Sequence, residues 1–282
     1  MKCHLLSLIA FAPILVAQDS RSRPMFEVAS IKECKPGDQP PPSTSSPGRL
    51  SLACAQLSRL ISNAYGVYAT GTYDPMDFVP PPVEGPSWIN SARYTIDAKA
   101  ETPASAAMMR GPMMQSLLEE RFQLKLRREI REVPVYFMTV ARDGLKVQPT
   151  KEGTCNPVDP TDLSQSYDSP SGGKPWCTLP RNTRTAHSKI FDVPGVRLDV
   201  FFKIVVPGRP VIDRTGLTGA YDVRLEVEDT IPGSPRPDGA AADPPGTSIV
   251  TTIRKQLGLE LTPGKGPHEF LVVDRIERPS AN

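Results

Sequence analysis

The 282-residue chain is long enough for one large or two small domains. Its 33 basic and 31 acidic residues nearly cancel, leaving a net charge of +2, which argues against a dedicated nucleic-acid binder. Hydrophobic residues make up 39%, enough for a buried core, while the 32 prolines are about twice the usual share. The prolines gather in KPGDQPPPSTSSPG, DFVPPPVEGP and IPGSPRPDGAAADPPG, stretches that read as exposed loops or short polyproline II spacers.

The chain opens as an export signal would. Lys2 supplies a positive n-region, Leu5 to Val16 is an apolar run too short to span a bilayer, and Ala17 offers a cleavage edge. On this reading 1–17 is a signal peptide, no membrane-spanning segment remains after its removal, and the protein is periplasmic or extracellular; an uncleaved anchor is the alternative. Losing Cys3 with the leader leaves Cys34, Cys54, Cys155 and Cys177. An even count in an oxidising compartment points to disulfides, and of three pairings the local one, Cys34 with Cys54 and Cys155 with Cys177, closes two short loops. A metal centre is the weaker alternative, since there is no Cys-x-x-Cys pair and the mature chain keeps only His187 and His268. No cofactor is expected.

Next, MFEVASIK reads as a strand. In RLSLACAQLSRLISNAYGV the residues Leu57, Leu60, Ile61, Ala64 and Tyr65 recur at helical spacing, with Gly66 as a stop. RYTIDAKA alternates as a strand, with Tyr94, Ile96 and Ala98 on one face. PMMQSLLEERF is a helix opened by Pro112, and QLKLRREI with VPVYFMTVA reads as a β-hairpin. RLDVFFKIV is then a helix with Leu198, Phe201, Phe202 and Val205 on one side, and GAYDVRLEVE a strand. SIVTTIRKQLG is a helix capped by Ser248 and stopped by Gly258, and LELTP with HEFLVVDRIE closes as a second hairpin.

The element order thus occurs twice. Leu126 to Val135 and Leu261 to Phe270 are both nine residues, and FQLKL aligns with LGLEL. The expected fold is α+β: two similar helix–strand–helix–hairpin units, an internal duplication, with Pro-rich loops. The first unit would span 18–150 and the second 191–282, joined by a disulfide-containing loop at 151–190.

The stretch GRPVIDRTGLTGAYDVRLE concentrates turn signals and charge. Gly216 and Gly219 would supply positive-φ positions leading into a strand that begins at Tyr221. Asp213, Arg214, Gly216, Gly219 and Tyr221, with Trp88 from the corresponding turn GPSWINS, are the candidate functional turn. The competing reading is structural: Asp213 caps a turn and Arg214 pairs at the surface.

Together FEVASIK, LISNAYGV, GPSWINSARYTIDAKA, LLEERFQLKLRREIREVPVY, GRPVIDRTGLTGAYDVRLE and QLGLELTPGKGPHEFLVVDRIERPSAN resemble a soil-associated bacterial family of exported proteins with no established function. The resemblance covers the chain from Phe26 to Asn282. It implies no catalytic residue. It departs from the usual pattern at Arg127, where His commonly stands, and at His268, where an aliphatic does. Fusion of some members to membrane peptidase-type sensor domains implies a sensing or binding role.

The mixed run at Glu119–Arg121 and Arg127–Glu132 reads as a solvated face, and Met108, Met109, Met113 and Met114 as core. There is no Gly-x-Ser-x-Gly, His-Glu-x-x-His, P-loop or Gly-x-Gly-x-x-Gly motif. The leading expectation is a non-catalytic envelope or extracellular module that binds a protein, peptide or glycan; a secreted hydrolase with an unrecognised site is the alternative.

Overall fold

The protein is described from a computed structural model, which covers residues 23–73, 80–158, 173–185, 188–206, 208–228 and 247–279. The expected signal peptide with Cys3, His187, the first three residues of DFVPPPVEGP and the stretch IPGSPRPDGAAADPPG up to residue 246 lie outside the described residues. The fold is α+β, with more strand than helix.

The first outer sheet has the order β1 (Phe26–Glu33), β5 (Arg93–Ala100), β3 (Arg49–Gln56), β2 (Thr44–Ser46), antiparallel throughout. β5 shows why it forms: Tyr94, Ile96, Ala98 and Ala100 alternate inward while Arg93, Asp97 and Lys99 face out. The inward face is closed by α1 (Leu57–Ser62), α2 (Ala106–Arg110) and α3 (Pro112–Arg121). Tyr94 meets Phe122 edge to face, with ring centroids 5.0 Å apart. Met109, Met113 and Met114 are buried in this core.

The second outer sheet has the order β7 (Gln148–Pro149), β11 (Tyr221–Glu228), β9 (Ser188–Val196), β8 (Arg181–Arg184). Its core holds Tyr221, Val223 and Leu225 against Phe201 and Phe202 of α4 (Leu198–Val205) and Ile253 and Leu257 of α5 (Thr247–Leu257). Counted within each half of the chain, the strands of the two outer sheets stand in the same order. β8 and the start of β9 fall inside the stretch read from sequence as the 151–190 loop.

Neither expected hairpin forms. Lys125–Val140 is one strand, β6, and Leu259–Arg275 is one strand, β12; the two pair with each other, antiparallel, from Leu259 opposite Val140 to Arg275 opposite Lys125. The apolar alternation seen in each stretch belongs to a long strand whose partner lies in the other half of the chain. Short strands flank this ribbon: β10 (Val211–Asp213) runs parallel to β6, and β4 (Val83–Glu84) parallel to β12. One end of the ribbon gives Leu124, Leu126, Val273 and Ile276 to the first core, and the other gives Met138, Leu259 and Leu261 to the second.

Two further differences from the sequence reading have local causes. α1 does not stop at Gly66 but continues as a π turn over Asn63–Val67. The glycine is needed there because a Cβ would lie 2.8 Å from the Pro81 ring and 2.9 Å from that of Pro80. Ser248 lies inside α5 rather than capping it.

The disulfides are Cys34–Cys54 and Cys155–Cys177, with Cα atoms 5.7 and 5.1 Å apart. Cys54 and Gly195 each sit three residues before a helix, at a β-bulge, with φ of +42° and +63°. The second disulfide packs on Gly195, where a Cβ would fall 2.9 Å from the Cys155 sulfur.

Two predictions follow from this packing. In the ribbon a Cβ at Gly264 would stand 2.4 Å from the Phe137 ring. Gly264→Ala is expected to lower stability by about 1–3 kcal/mol through overpacking, and both cores should melt in the same transition because they share the ribbon. Thermal unfolding followed by near-UV circular dichroism checks this; two separate transitions would contradict it. Removing either disulfide should cost about 3 kcal/mol, and alkylation without reductant should leave Cys34, Cys54, Cys155 and Cys177 unlabelled.

Candidate cleft on the shared ribbon

The middle of the ribbon forms the floor of a cleft of about 1060 Å³. Its walls come from both halves of the chain: Gly66, Val67, Ala69 and Pro80 to Pro82 on one side, Lys203, Val206 and Gly208 to Ile212 on the other. Six prolines line it, Pro80, Pro81, Pro82, Pro134, Pro210 and Pro267. Proline has no N–H to contribute to a ladder and so belongs at strand edges and entries. Pro210 and Pro82 lead into β10 and β4, and the carbonyl of each accepts a hydrogen bond at 2.9 Å, from the Tyr136 N–H and the Leu271 N–H respectively.

Across the ribbon, Glu129 opposes Phe270 and Arg131 opposes His268. The Arg131 guanidinium lies 5.0 Å over the Phe270 ring, and the His268 ring meets Phe270 edge-on at 5.2 Å. Arg131 donates to Glu129 at 2.6 Å and to Glu84 at 2.7 Å. These bonds hold the Glu129 carboxyl below its usual range and the Arg131 guanidinium above its own. Arg128 donates to Glu269 at 2.9 Å and to the Tyr65 carbonyl, and Arg127 bridges Glu129 and Asp274. On the ribbon the mixed-charge run therefore pairs both along β6, where Arg127 and Arg131 share Glu129, and with other strands, at Asp274, Glu269 and Glu84. Each such exposed pair is worth at most about 1 kcal/mol.

Burial pushes the His268 imidazole below the usual histidine range; Lys203 pushes the same way and Glu269 opposes. Among the described residues no cluster of three or more His, Cys, Asp or Glu side chains could hold a metal ion.

The stretch GRPVIDRTGLTGAYDV divides between wall and scaffold. Gly208 to Ile212 line the cleft, whereas Asp213, Arg214, Gly216, Gly219 and Tyr221 do not. Arg209 lies 4.2 Å over the Tyr136 ring, and Ile212 fills the space left by Gly266, where a Cβ would come within 2.6 Å of its Cδ1. The Asp213 carboxylate accepts hydrogen bonds from the Thr215 N–H and hydroxyl, both 2.7 Å. Arg214 stacks 3.4 Å over Phe137, and its N–H donates to the Met138 carbonyl at 2.8 Å. Gly216 and Gly219 have φ of +69° and +103°. Tyr221 is buried in the second core, and its neighbour Asp222 accepts from Thr150 and from the Gly195 N–H. Trp88 is apart from all of these: it packs on the first core, under the Arg278 guanidinium at 4.8 Å. The residues that sequence reasoning missed are the prolines and Phe270. Their signal was the recurrence of a proline at the entry or centre of a β segment, in PPPV, EVPV, GRPV and GPHEF.

A model of the family described as "Protein of unknown function (DUF3738)" matches residues 58–276. The chain belongs to the DUF3738 family. The matched region runs from α1 to the end of the ribbon, so it includes both walls and the floor of the cleft. Neither a curated protein nor a solved structure matches this DUF3738 chain.

In this DUF3738 protein the Asp213 turn and the Tyr221 strand entry should separate by stability. Tyr221→Ala is expected to cost about 3 kcal/mol or more, Gly216→Ala and Gly219→Ala about 1 kcal/mol each, and Asp213→Asn little, since the amide oxygen still accepts. Denaturant titration measures all four; Asp213→Asn as costly as Tyr221→Ala would refute the turn assignment.

A pH effect follows from His268, whose folded pKa is lowered. Its contribution is fully present above the ordinary histidine pKa and is lost as pH falls through the window below it. Stability should therefore decrease from about pH 7.5 to about pH 5, and His268→Gln should make that decrease smaller. An unchanged pH profile in the variant would count against it.

Proposed function

We propose that this chain is an exported, non-catalytic binding protein of the cell envelope or exterior, and that the ribbon cleft takes an extended apolar peptide segment of another protein. The observation that carries the reading is the cleft wall, six prolines with Val211, Ile212 and Phe270 around it. Pro rings have a fixed φ and little freedom to lose, so such a wall binds without a large ordering cost. Its acidic group is engaged, Glu269 by Arg128, while Arg209 stacks on Tyr136 with its Nε buried and unmatched, a donor that a backbone carbonyl of the peptide would satisfy. A glycan would need a dense set of free hydrogen-bonding groups instead. A hydrolase would need His268 or a carboxylate pair free to move protons, and the carboxylate beside His268, Glu269, is held by Arg128. Export is supported by the two disulfides and by the apolar leader in the sequence.

The cleft's position fits an internal duplication in which the second copy begins well before residue 191, since β7 and β8 of its outer sheet lie at Gln148–Pro149 and Arg181–Arg184. Support comes from the shared strand order of the outer sheets, the paired bulges at Cys54 and Gly195, and β4 and β10 each pairing with the other half's long strand. On this reading the ligand lies where the two copies meet.

Panning a random decapeptide phage library on the oxidised protein tests the assignment. Recovered peptides should be apolar, remain intact on incubation, and bind Phe270→Ala about tenfold more weakly by fluorescence anisotropy, with the exposed Val28→Ala unchanged. Equal binding to Phe270→Ala, or cleavage of the peptides, would overturn it.

A further inference from the structure

Away from the ribbon cleft, the first lobe has a pocket of about 520 Å³ between β3, α1, the start of β5 and the end of α2. Three arginines line it: Arg59 from α1, Arg93 from β5 and Arg110 from α2. No carboxylate lines the pocket, and among the described residues none of the three has an ion-pair partner. This contrasts with Arg127, Arg128 and Arg131, which all reach carboxylates. Arg93 donates only to the Cys54 carbonyl, at 3.4 Å, and Arg110 lies 5.9 Å over the Tyr68 ring. The Arg110 Nε is buried without a hydrogen-bond partner. A buried donor left unmatched costs free energy and marks a place where a partner belongs.

Position in the fold fixes this cluster. α2 ends at Gly111, where a Cβ would lie 1.7 Å from the Tyr68 carbonyl, so Arg110 is held against the Tyr68 loop. The Gln115 amide donates to the Ala64 and Ala69 carbonyls at 2.7 and 3.0 Å and clamps the same loop. Cys54 ties the β3 side through its disulfide to Cys34. The rest of the lining is uncharged: Leu52, Ala55, Leu60 and Met114 are its apolar part, and Ser43, Gln56 and Asn63 its polar part.

We propose that this pocket binds an amphiphilic oxyanion, its carboxylate, sulfate or phosphate head on Arg59, Arg93 and Arg110 and its apolar body on Leu60 and Met114. A guanidinium presents paired N–H donors that match the oxygens of such a head, and three of them in a partly dry site bind it by charge-assisted hydrogen bonds. The volume suits a small ligand or one end of a longer one. An adjoining groove of about 460 Å³ shares Gln56, Arg59 and Asn63 with the pocket; it passes Ser58, Ser62 and Asn90 and reaches an apolar stretch at Pro80 to Val83, where the end of a longer tail would rest.

Calorimetric titration of the oxidised full chain tests the proposal, with octanoate, octyl sulfate and octyl phosphate as probes. Inorganic phosphate supplies the head alone, and octyl glucoside the tail without charge. The octyl anions are expected to bind at one site per chain, more tightly than inorganic phosphate or octyl glucoside, and more weakly as salt is raised. The best-bound of the three names the head group. Arg110→Gln, Arg93→Gln and Arg59→Gln should each weaken binding about tenfold or more, while Arg278→Gln, on Trp88, should not. Arg59 and Arg93 are exposed, so their variants carry the test even if Arg110→Gln lowers Tm. Octyl glucoside binding as tightly as the anions, arginine variants of wild-type Tm binding at wild-type affinity, or no saturable anion binding would each overturn it.

Discussion

The pairing of β6 with β12 is the constraint on which the rest of the molecule depends. Each disulfide closes a loop within one half of the chain, so neither ties the halves together. That task falls to the ladder between Val140 and Leu259 at one end and Lys125 and Arg275 at the other. Because the ribbon's ends insert Leu126 and Val273 into one core and Met138 and Leu261 into the other, neither core is complete until strands far apart in sequence have met. Such pairing is slow to find, because loop closure must occur before the contacts it enables can form. The cores then secure the ribbon, since shifting its register by one residue would turn Leu261 and Met138 out of the second core.

The ribbon also explains where glycine and proline are used. At Gly264 and Gly266 the ladder leaves out side chains so that Phe137 and Ile212 can lie against it. At Pro134, Pro263 and Pro267 it accepts residues that cannot donate to a neighbouring strand. Only two strands lie at its centre, and β10 and β4 cover just the parts at Tyr136 to Met138 and Leu271 to Val272. A proline there costs no ladder bond if its missing N–H would have faced the open edge. The cleft is thus a consequence of a ribbon with short flanking strands and apolar, donor-poor walls.

Local order was legible in the sequence because it was written in nearest neighbours. Tyr94, Ile96 and Ala98 alternate, Leu198, Phe201, Phe202 and Val205 recur at helical spacing, and the structure buries each set, one in each core. The even cysteine count and short loops gave the disulfide pairs. Partnership was not legible. LKLRREI and VPVYFMTV carry the same alternation whether they turn back on each other or run on to meet a distant strand, and Pro134 between them looks like a turn signal in either case. Gly66 misled for a related reason: a glycine required by close approach of Pro80 and Pro81 has the same letter as one that ends a helix. The cleft was half-visible. GRPVIDRTG was singled out for its charges, but the structure puts Arg209 to Ile212 in the wall and gives Asp213 and Arg214 to the scaffold.

The contrast between arginines shows what distinguishes scaffold from candidate site more reliably than residue type. On the ribbon, Arg127, Arg128 and Arg131 face carboxylates across the ladder, and removing any one leaves an exposed partner that water can solvate. Arg214 spends its face on Phe137 and leaves its edge to solvent, a stacking that holds β10 to β6. Around Arg59, Arg93 and Arg110 the neighbours are neutral: a tyrosine ring, a carbonyl, aliphatic side chains, and Ser43, Gln56 and Asn63. Like charges gathered without a counter-charge repel one another and lower stability, an arrangement that gives the fold nothing. Their grouping beside apolar side chains is therefore better explained by what could enter the pocket than by what surrounds it.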